Sequence, residues 1–198
     1  MKNIAVLVLA AGKSSRMKTP KQLAEIGTNF LLEMVLSKAK TINTTDVYCV
    51  LGANDALIRK EISAANVHFI YNANFNEGLS ASIVAGISEL EKSHQNYDGV
   101  LILLGDQPAI EKTYLKAMVS LFFENESKII ASNYGKKLGV PAIFSKRYFS
   151  ELKKISGDFG AKDILNKNSK VIALSQQTNF IDIDTTEDLE AFKKSILK

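Results

Sequence analysis

The stretch Ile4-Ala-Val-Leu-Val-Leu-Ala-Ala-Gly-Lys-Ser-Ser-Arg16 decides how the chain folds. Its apolar part, Ile4 to Ala11, carries no polar residue, as a strand buried on both faces does, and it stops at Gly12, where a basic loop begins. It is too short to span a membrane and has no small-residue cleavage site, so it reads as a strand of a cytoplasmic protein. Strand-length apolar runs recur at Val47–Leu51, Val67–Tyr71, Val100–Leu104, Ile129–Ser132, Val140–Phe144 and Val171–Leu174. Between most of them lie helical stripes: Leu31, Met34, Val35 and Ala39; Leu57, Ile58 and Ile62; Ile83, Ile87 and Leu90; Leu115, Met118, Val119 and Phe122. All of these stripes are expected in the core. The alternation predicts a largely parallel sheet covered on both faces, in one α/β domain over residues 1–198. A last helix is announced by Thr185-Thr-Glu-Asp188, with Asp188 as a capping acid and Leu189, Phe192 and Ile196 on the inner face.

Composition narrows the partners. The chain has 198 residues, 46% of them hydrophobic, which is enough for a sizeable core. Its 25 basic and 21 acidic residues leave a formal charge of +4, too balanced for a nucleic-acid or membrane-binding surface and better suited to a small anion. The single cysteine, Cys49, lies in the apolar run Val47–Leu51 and reads as a buried structural thiol.

The loop after the first strand lies where open α/β sheets place their ligands. From Lys13 to Lys21 it holds four cations, Lys13, Arg16, Lys18 and Lys21, and no acid, while Ala10, Ala11 and Gly12 allow close approach to the backbone. Fixed cations and backbone amides would hold a triphosphate, although an exposed basic loop is the plain alternative. Two familiar phosphate loops are excluded. Gly12-Lys13-Ser14 matches the end of a P-loop, but Leu7 stands where its first glycine belongs, and no Gly-x-Gly-x-x-Gly follows the strand.

Three later segments add candidates. In Asn74-Phe-Asn-Glu-Gly-Leu-Ser-Ala-Ser82, Gly78, Ser80 and Ser82 stand at the start of a helix, which Ser80 could simply cap. Val100-Leu-Ile-Leu-Leu-Gly-Asp-Gln-Pro108 delivers Asp106 at the C-terminal end of a strand, placed either to hold Mg²⁺ or to cap the helix that follows. In Phe180-Ile-Asp-Ile-Asp184, strand alternation puts Asp182 and Asp184 on one side.

Together, Leu9-Ala-Ala-Gly-x-Ser-x-Arg-Met17 and Pro20-Lys-Gln-Leu23 resemble the signature of the nucleotidyltransferases that attach CMP or GMP to molybdopterin. The Ala10-Ala11-Gly12 and Pro20–Leu23 forms are more similar to the cytidylyl than to the guanylyl branch. The family usually has glycine where this chain has Lys18. The resemblance implies a Rossmann-like three-layer domain of the nucleotide-diphospho-sugar transferase type. It also implies a Mg²⁺-dependent transferase that uses CTP ahead of GTP, with a phosphorylated acceptor such as molybdopterin. By resemblance, Arg16 and Lys21 contact phosphate and the Leu9–Gly12 backbone contacts base or ribose. Gly78, Ser80 and Ser82 flank the nucleotide, and Asp106 and Asp184 hold the metal. Leu138–Phe144 and Ser156–Lys162, with Asp158, Gly160 and Lys162, fall on the acceptor side. A sugar-phosphate nucleotidyltransferase and a non-catalytic nucleotide-binding module are the rival readings.

Overall fold

The computed structural model describes residues 3–17, 19–42, 46–62, 64–176 and 178–196; Lys18, one of the four loop cations, lies outside them. The elements run β1 (Ile4–Leu9), a short hairpin β2 (Glu25–Ile26) and β3 (Asn29–Phe30), α1 (Leu31–Lys40), β4 (Val47–Leu51), α2 (Asp55–Glu61) and β5 (Val67–Tyr71). They continue with α3 (Leu79–Lys92), β6 (Gly99–Leu104), α4 (Lys112–Glu124), β7 (Ile129–Asn133), β8 (Leu138–Ser145), α5 (Phe149–Leu152), α6 (Lys162–Lys167), β9 (Val171–Leu174) and α7 (Thr186–Ile196).

One seven-stranded sheet runs in the order β5-β4-β1-β6-β8-β7-β9. Every pairing is parallel except those of β8, which is antiparallel to both β6 and β7. The apolar run that opens the chain explains the centre of this sheet. β1 lies between β4 and β6 and is buried along its whole length. Its alternate residues serve two cores: Ile4, Val6 and Val8 pack with Leu32, Leu36, Met118 and Phe122 of α1 and α4. Ala5, Leu7 and Leu9 pack with Ile83 and Ile87 of α3, Leu152 of α5 and Leu165 of α6. Two faces covered by helices make the three-layer α/β fold that the strand–helix alternation predicted. Among the described residues, no helix is long and apolar enough to cross a membrane.

A third, smaller cluster joins Ala24, Ile26 and Leu31 around the hairpin to Ile183, Leu189 and Phe192 around α7. It ties the C-terminal segment to the end of the sheet where β1 and β6 stop. Two expected core positions lie outside. Leu57 is 43% exposed, because α2 has only seven residues and turns Ile58 inward; Ile196, at the end of α7, is 49% exposed. Cys49 is fully buried, and burial pushes its thiol well above the ordinary range, in keeping with a structural role.

Candidate active site

At the C-terminal end of β1 the chain leaves the sheet through Ala10, Ala11 and Gly12 and returns at a short 3₁₀ turn, Lys21–Leu23. One side chain fastens this loop. The Gln22 amide, 2% exposed, donates to the carbonyl oxygens of Ala10 (2.8 Å) and Gly12 (3.0 Å). Ser14, held at φ 56°, donates through its hydroxyl to Gln22 Oε1 (3.2 Å) and accepts the backbone N–H of Lys21 (2.9 Å). With its polar groups satisfied inside the loop, Gln22 fixes where Lys21 starts and so where its ammonium ends. The sequence marks Gln22 only as a letter of the Pro20–Leu23 motif.

That ammonium lies between two acids carried from distant parts of the chain. Lys21 Nζ is 2.6 Å from Asp106 Oδ2 and 2.8 Å from Asp184 Oδ1. Asp106 follows β6 after Gly105, where an added Cβ would stand 2.9 Å from the Ala10 methyl, so the two strand ends approach closely only because residue 105 has no side chain. Asp184 is set by its neighbours: the Ile183 N–H donates to the Asp106 carbonyl (2.9 Å), and Asp188 Oδ2 accepts from the backbone N–H groups of Asp184 (3.2 Å) and Thr185 (2.9 Å). Asp188 is thus the capping acid at the start of α7. Ile183 points into the small core, and both acids beside it turn the other way, Asp184 to Lys21 and Asp182 to the Gln107 amide (2.8 Å). Arg16, largely exposed, approaches Asp184 Oδ2 at 3.7 Å.

Burial works against the Lys21 charge, but Asp106 and Asp184 together outweigh it, and its pKa is raised. Burial, and then the neighbouring Asp106 charge, raise the Asp182 pKa. The two acids form a donor set for a hard divalent cation. Asp106 Oδ1 is buried with no hydrogen-bond partner, so beside the two oxygens that hold Lys21 the pair of acids keeps a carboxylate oxygen to offer a metal. Two carboxylates and no soft ligand fit Mg²⁺ or Mn²⁺. Among the described residues no group of three or more His, Cys, Asp or Glu side chains could hold a metal, so further ligands would come from water and substrate oxygens.

A cleft of about 340 Å³ opens beside this cluster, bounded by Leu9, Ala10, Ala11 and Gly12 on one side and by Phe75, Gly78, Leu79 and Ser82 on the other, with Lys21 and Asp106 at one end. Lys13 stands over the Phe75 ring, 5.8 Å from its centroid. Ser80 is fully buried, does not border the cleft and caps nothing: Gly78 holds the cap position, and the Ser80 N–H donates to the Gly157 carbonyl (3.1 Å). A second cavity of about 330 Å³ shares Leu9, Leu79 and Leu104 with the first, and Gln107, Tyr134, Phe159, Lys162 and Asp182 also line it. Phe75 and Tyr134 have no signal in the sequence that marks them for a ligand, and Gln107 is marked only as a letter of the Gly105–Pro108 stretch.

Gly78, in the cleft wall, packs closely against Gly157 and Asp158. Its φ of 89° with ψ of −176° is open essentially to glycine alone, and an added Cβ would lie 2.7 Å from the Gly157 carbonyl and against the Asp158 carboxylate. Gly78→Ala is therefore expected to destabilise the fold by about 2 kcal/mol or more in urea unfolding; a change below about 0.5 kcal/mol would contradict this strain.

Residues 6–171 match the model of the MobA-like NTP transferase domain. The chain belongs to this family. Among curated proteins, the bifunctional protein GlmU of Coxiella burnetii (strain Dugway 5J108-111) is 32% identical over 118 residues, which is 59% of this chain and 25% of GlmU. The chain thus spans about a quarter of the length of that relative. Among solved structures, Rv0371C of Mycobacterium tuberculosis H37Rv in complex with manganese superposes with a TM-score of 0.77 at 22% identity, covering 98% of each chain. A nucleotidyl transferase from Methanothermobacter thermautotroptrophicus superposes with a TM-score of 0.80 at 18% identity, also covering 98% of each. At these identities the likeness to the solved structures is one of fold.

Proposed function

We propose that this MobA-like domain is a divalent-cation-dependent nucleotidyltransferase that moves a nucleoside monophosphate, CMP from CTP, onto a phosphorylated small acceptor, with molybdopterin as the first acceptor to test. The observation that carries this is the meeting of Asp106, Asp184 and Lys21 at one end of a cleft walled by the Leu9–Gly12 loop. A triphosphate reaching this cluster would meet Lys21 and, from solvent, Arg16. Its base would lie between the Leu9–Gly12 backbone and Ser82.

An acceptor in the second cavity would have its phosphate beside the shared Leu9–Leu79–Leu104 border. There an acceptor phosphate oxygen attacks the α-phosphorus, the bond to the bridging oxygen breaks, and pyrophosphate leaves with the displaced charge. A phosphate oxygen is already nucleophilic near neutral pH, so no general base is required. His68, exposed on β5, and His94, exposed beyond α3, border neither cavity. When bound, a divalent cation supplies charge neutralisation on the phosphates. Lys21 holds a fixed positive charge where negative charge builds up, and Asp106 and Asp184 keep it oriented.

The donor choice has its own expected result. Ala11 borders the cleft, and its methyl narrows the wall relative to the glycine carried by guanylyl-transferring relatives. With CTP and GTP competing at equal concentration for molybdopterin, the cytidine product should exceed the guanosine product by roughly ten- to two-hundredfold, the usual worth of one methyl group. Equal yields, or an excess of the guanosine product, would move the chain out of the cytidylyl branch.

A second reading has support in the relatives. The fold is shared with a putative glucose-1-phosphate thymidylyltransferase from Bacillus anthracis (TM-score 0.77, 15% identity), which makes a sugar phosphate the second acceptor to test. Acceptor-dependent pyrophosphate release, measured with each nucleoside triphosphate against molybdopterin and a panel of sugar 1-phosphates, separates the two. Release with no acceptor in any combination would leave a nucleotide-binding module that turns nothing over.

A further inference from the structure

Ser82 is the polar side chain on the Phe75 side of the cleft, and a neighbour dictates what its hydroxyl can do. Asn72 follows β5, extends the ladder by donating its N–H to the Leu51 carbonyl (2.9 Å), and is 4% exposed. Its Oδ1 accepts the backbone N–H of Asn74 (3.0 Å), and its Nδ2 donates to Ser82 Oγ (3.2 Å). A backbone N–H can only donate, so Oδ1 must face Asn74 and the amide cannot be turned over. Ser82 Oγ therefore accepts from Asn72, and the hydroxyl hydrogen stays free to be donated elsewhere. Ser82 is 4% exposed and borders the cleft, so that hydrogen has a ligand within reach only there.

Resting on the assignment of this cleft to the nucleotide, we propose that Asn72 is a positioning residue that commits the Ser82 hydroxyl to donate to the nucleobase. The site thereby selects bases that present a carbonyl or ring-nitrogen acceptor at that edge. Asn72 touches no ligand itself; it sets the polarity of the residue that does. Exchanging its amide for a carboxylate keeps the shape and the bond from Asn74, but reverses the polarity: the carboxylate accepts the Ser82 hydrogen, and Ser82 then offers the base only lone pairs.

The test is equilibrium binding of CTP and of inorganic triphosphate, both with Mg²⁺, to the full chain, measured by calorimetry. Asn72→Asp and Ser82→Ala should each weaken CTP by about tenfold, the worth of one hydrogen bond at the upper end of its usual range. Both should leave inorganic triphosphate unchanged. The double variant should be no weaker than Ser82→Ala alone, because without the hydroxyl there is nothing for residue 72 to orient.

Equal losses for CTP and triphosphate would make Asn72 a structural or purely electrostatic residue and overturn the proposal. So would additive losses in the double variant. A wild-type protein that binds CTP no tighter than triphosphate would instead overturn the nucleotide assignment of the cleft, a result distinguishable from the other two because it needs no variant.

Discussion

Asp106→Asn is expected to lower turnover by at least about a hundredfold while the protein stays folded. The carboxylate has two oxygens with different duties: Oδ2 is 2.6 Å from the Lys21 ammonium, and Oδ1 is buried without a partner. The amide can keep its oxygen toward Lys21, so the contact that shapes the site survives. Its NH₂ then occupies the place of Oδ1, where a cation needs an anionic oxygen and where the structure offers no acceptor. The charge that would hold a divalent cation on the phosphates is halved, and the group facing it is a donor. Folding should suffer only the cost of one unsatisfied amide, about 1–3 kcal/mol, visible as a lower midpoint in urea with an unchanged far-ultraviolet spectrum. Near-normal turnover at saturating Mg²⁺ would refute the role.

Lys21→Ala should also cost about a hundredfold, and its kinetic pattern separates catalysis from binding. The ammonium lies between Asp106 and Asp184, and its pKa is raised, so it stays charged throughout the physiological range. A cation fixed there favours the transition state more than the bound nucleotide, because charge moves onto the leaving pyrophosphate as the bond breaks. The expected result is a kcat lowered by about two orders of magnitude with KM for the nucleotide within about threefold. An unchanged kcat with a raised KM would make Lys21 a simple binding residue. Arg16, largely exposed and 3.7 Å from Asp184, stands at the solvent edge of the same cluster.

The principal strands were legible because a buried parallel strand must be apolar along its length, and β1 shows this without interruption. The hairpin β2–β3 was not, since two residues per strand show no period, and α5 and α6 are too short to display a stripe. At the site, the segments carrying Lys21, Asp106 and Asp184 could be singled out, because cations after a first strand and acids at strand ends have a chemical meaning in an α/β sheet. Their meeting could not be read from spacing: Lys21 and Asp184 are 163 positions apart, and the bond from the Ile183 N–H to the Asp106 carbonyl, with the small core around Ile183, brings them together. The residues that hold the site in shape left the weakest trace. Gln22 and Asn72 act through hydrogen bonds to backbone or side chain 10–12 positions away, and an amide in a loop looks the same whether it fastens or merely solvates. Ser80 shows the opposite error. Its place near Gly78 suggests a cap or a ligand contact, whereas the positive-φ backbone at Gly78 starts the helix at Leu79, two residues earlier than a Ser80 cap would, and the Ser80 hydroxyl is buried in the interior.

The most direct measurement follows two labels through one reaction. CTP carrying ³²P at the α-position, or in a parallel sample at the γ-position, is incubated with the protein, Mg²⁺ and either molybdopterin or a sugar 1-phosphate. The α-label should pass into a dinucleotide or nucleotide-sugar product that contains the acceptor, and the γ-label should leave in pyrophosphate in equal amount. Recovery of the γ-label as orthophosphate, or of the α-label as free CMP or CDP with no acceptor attached, would contradict nucleotidyl transfer at the Asp106–Lys21–Asp184 cluster.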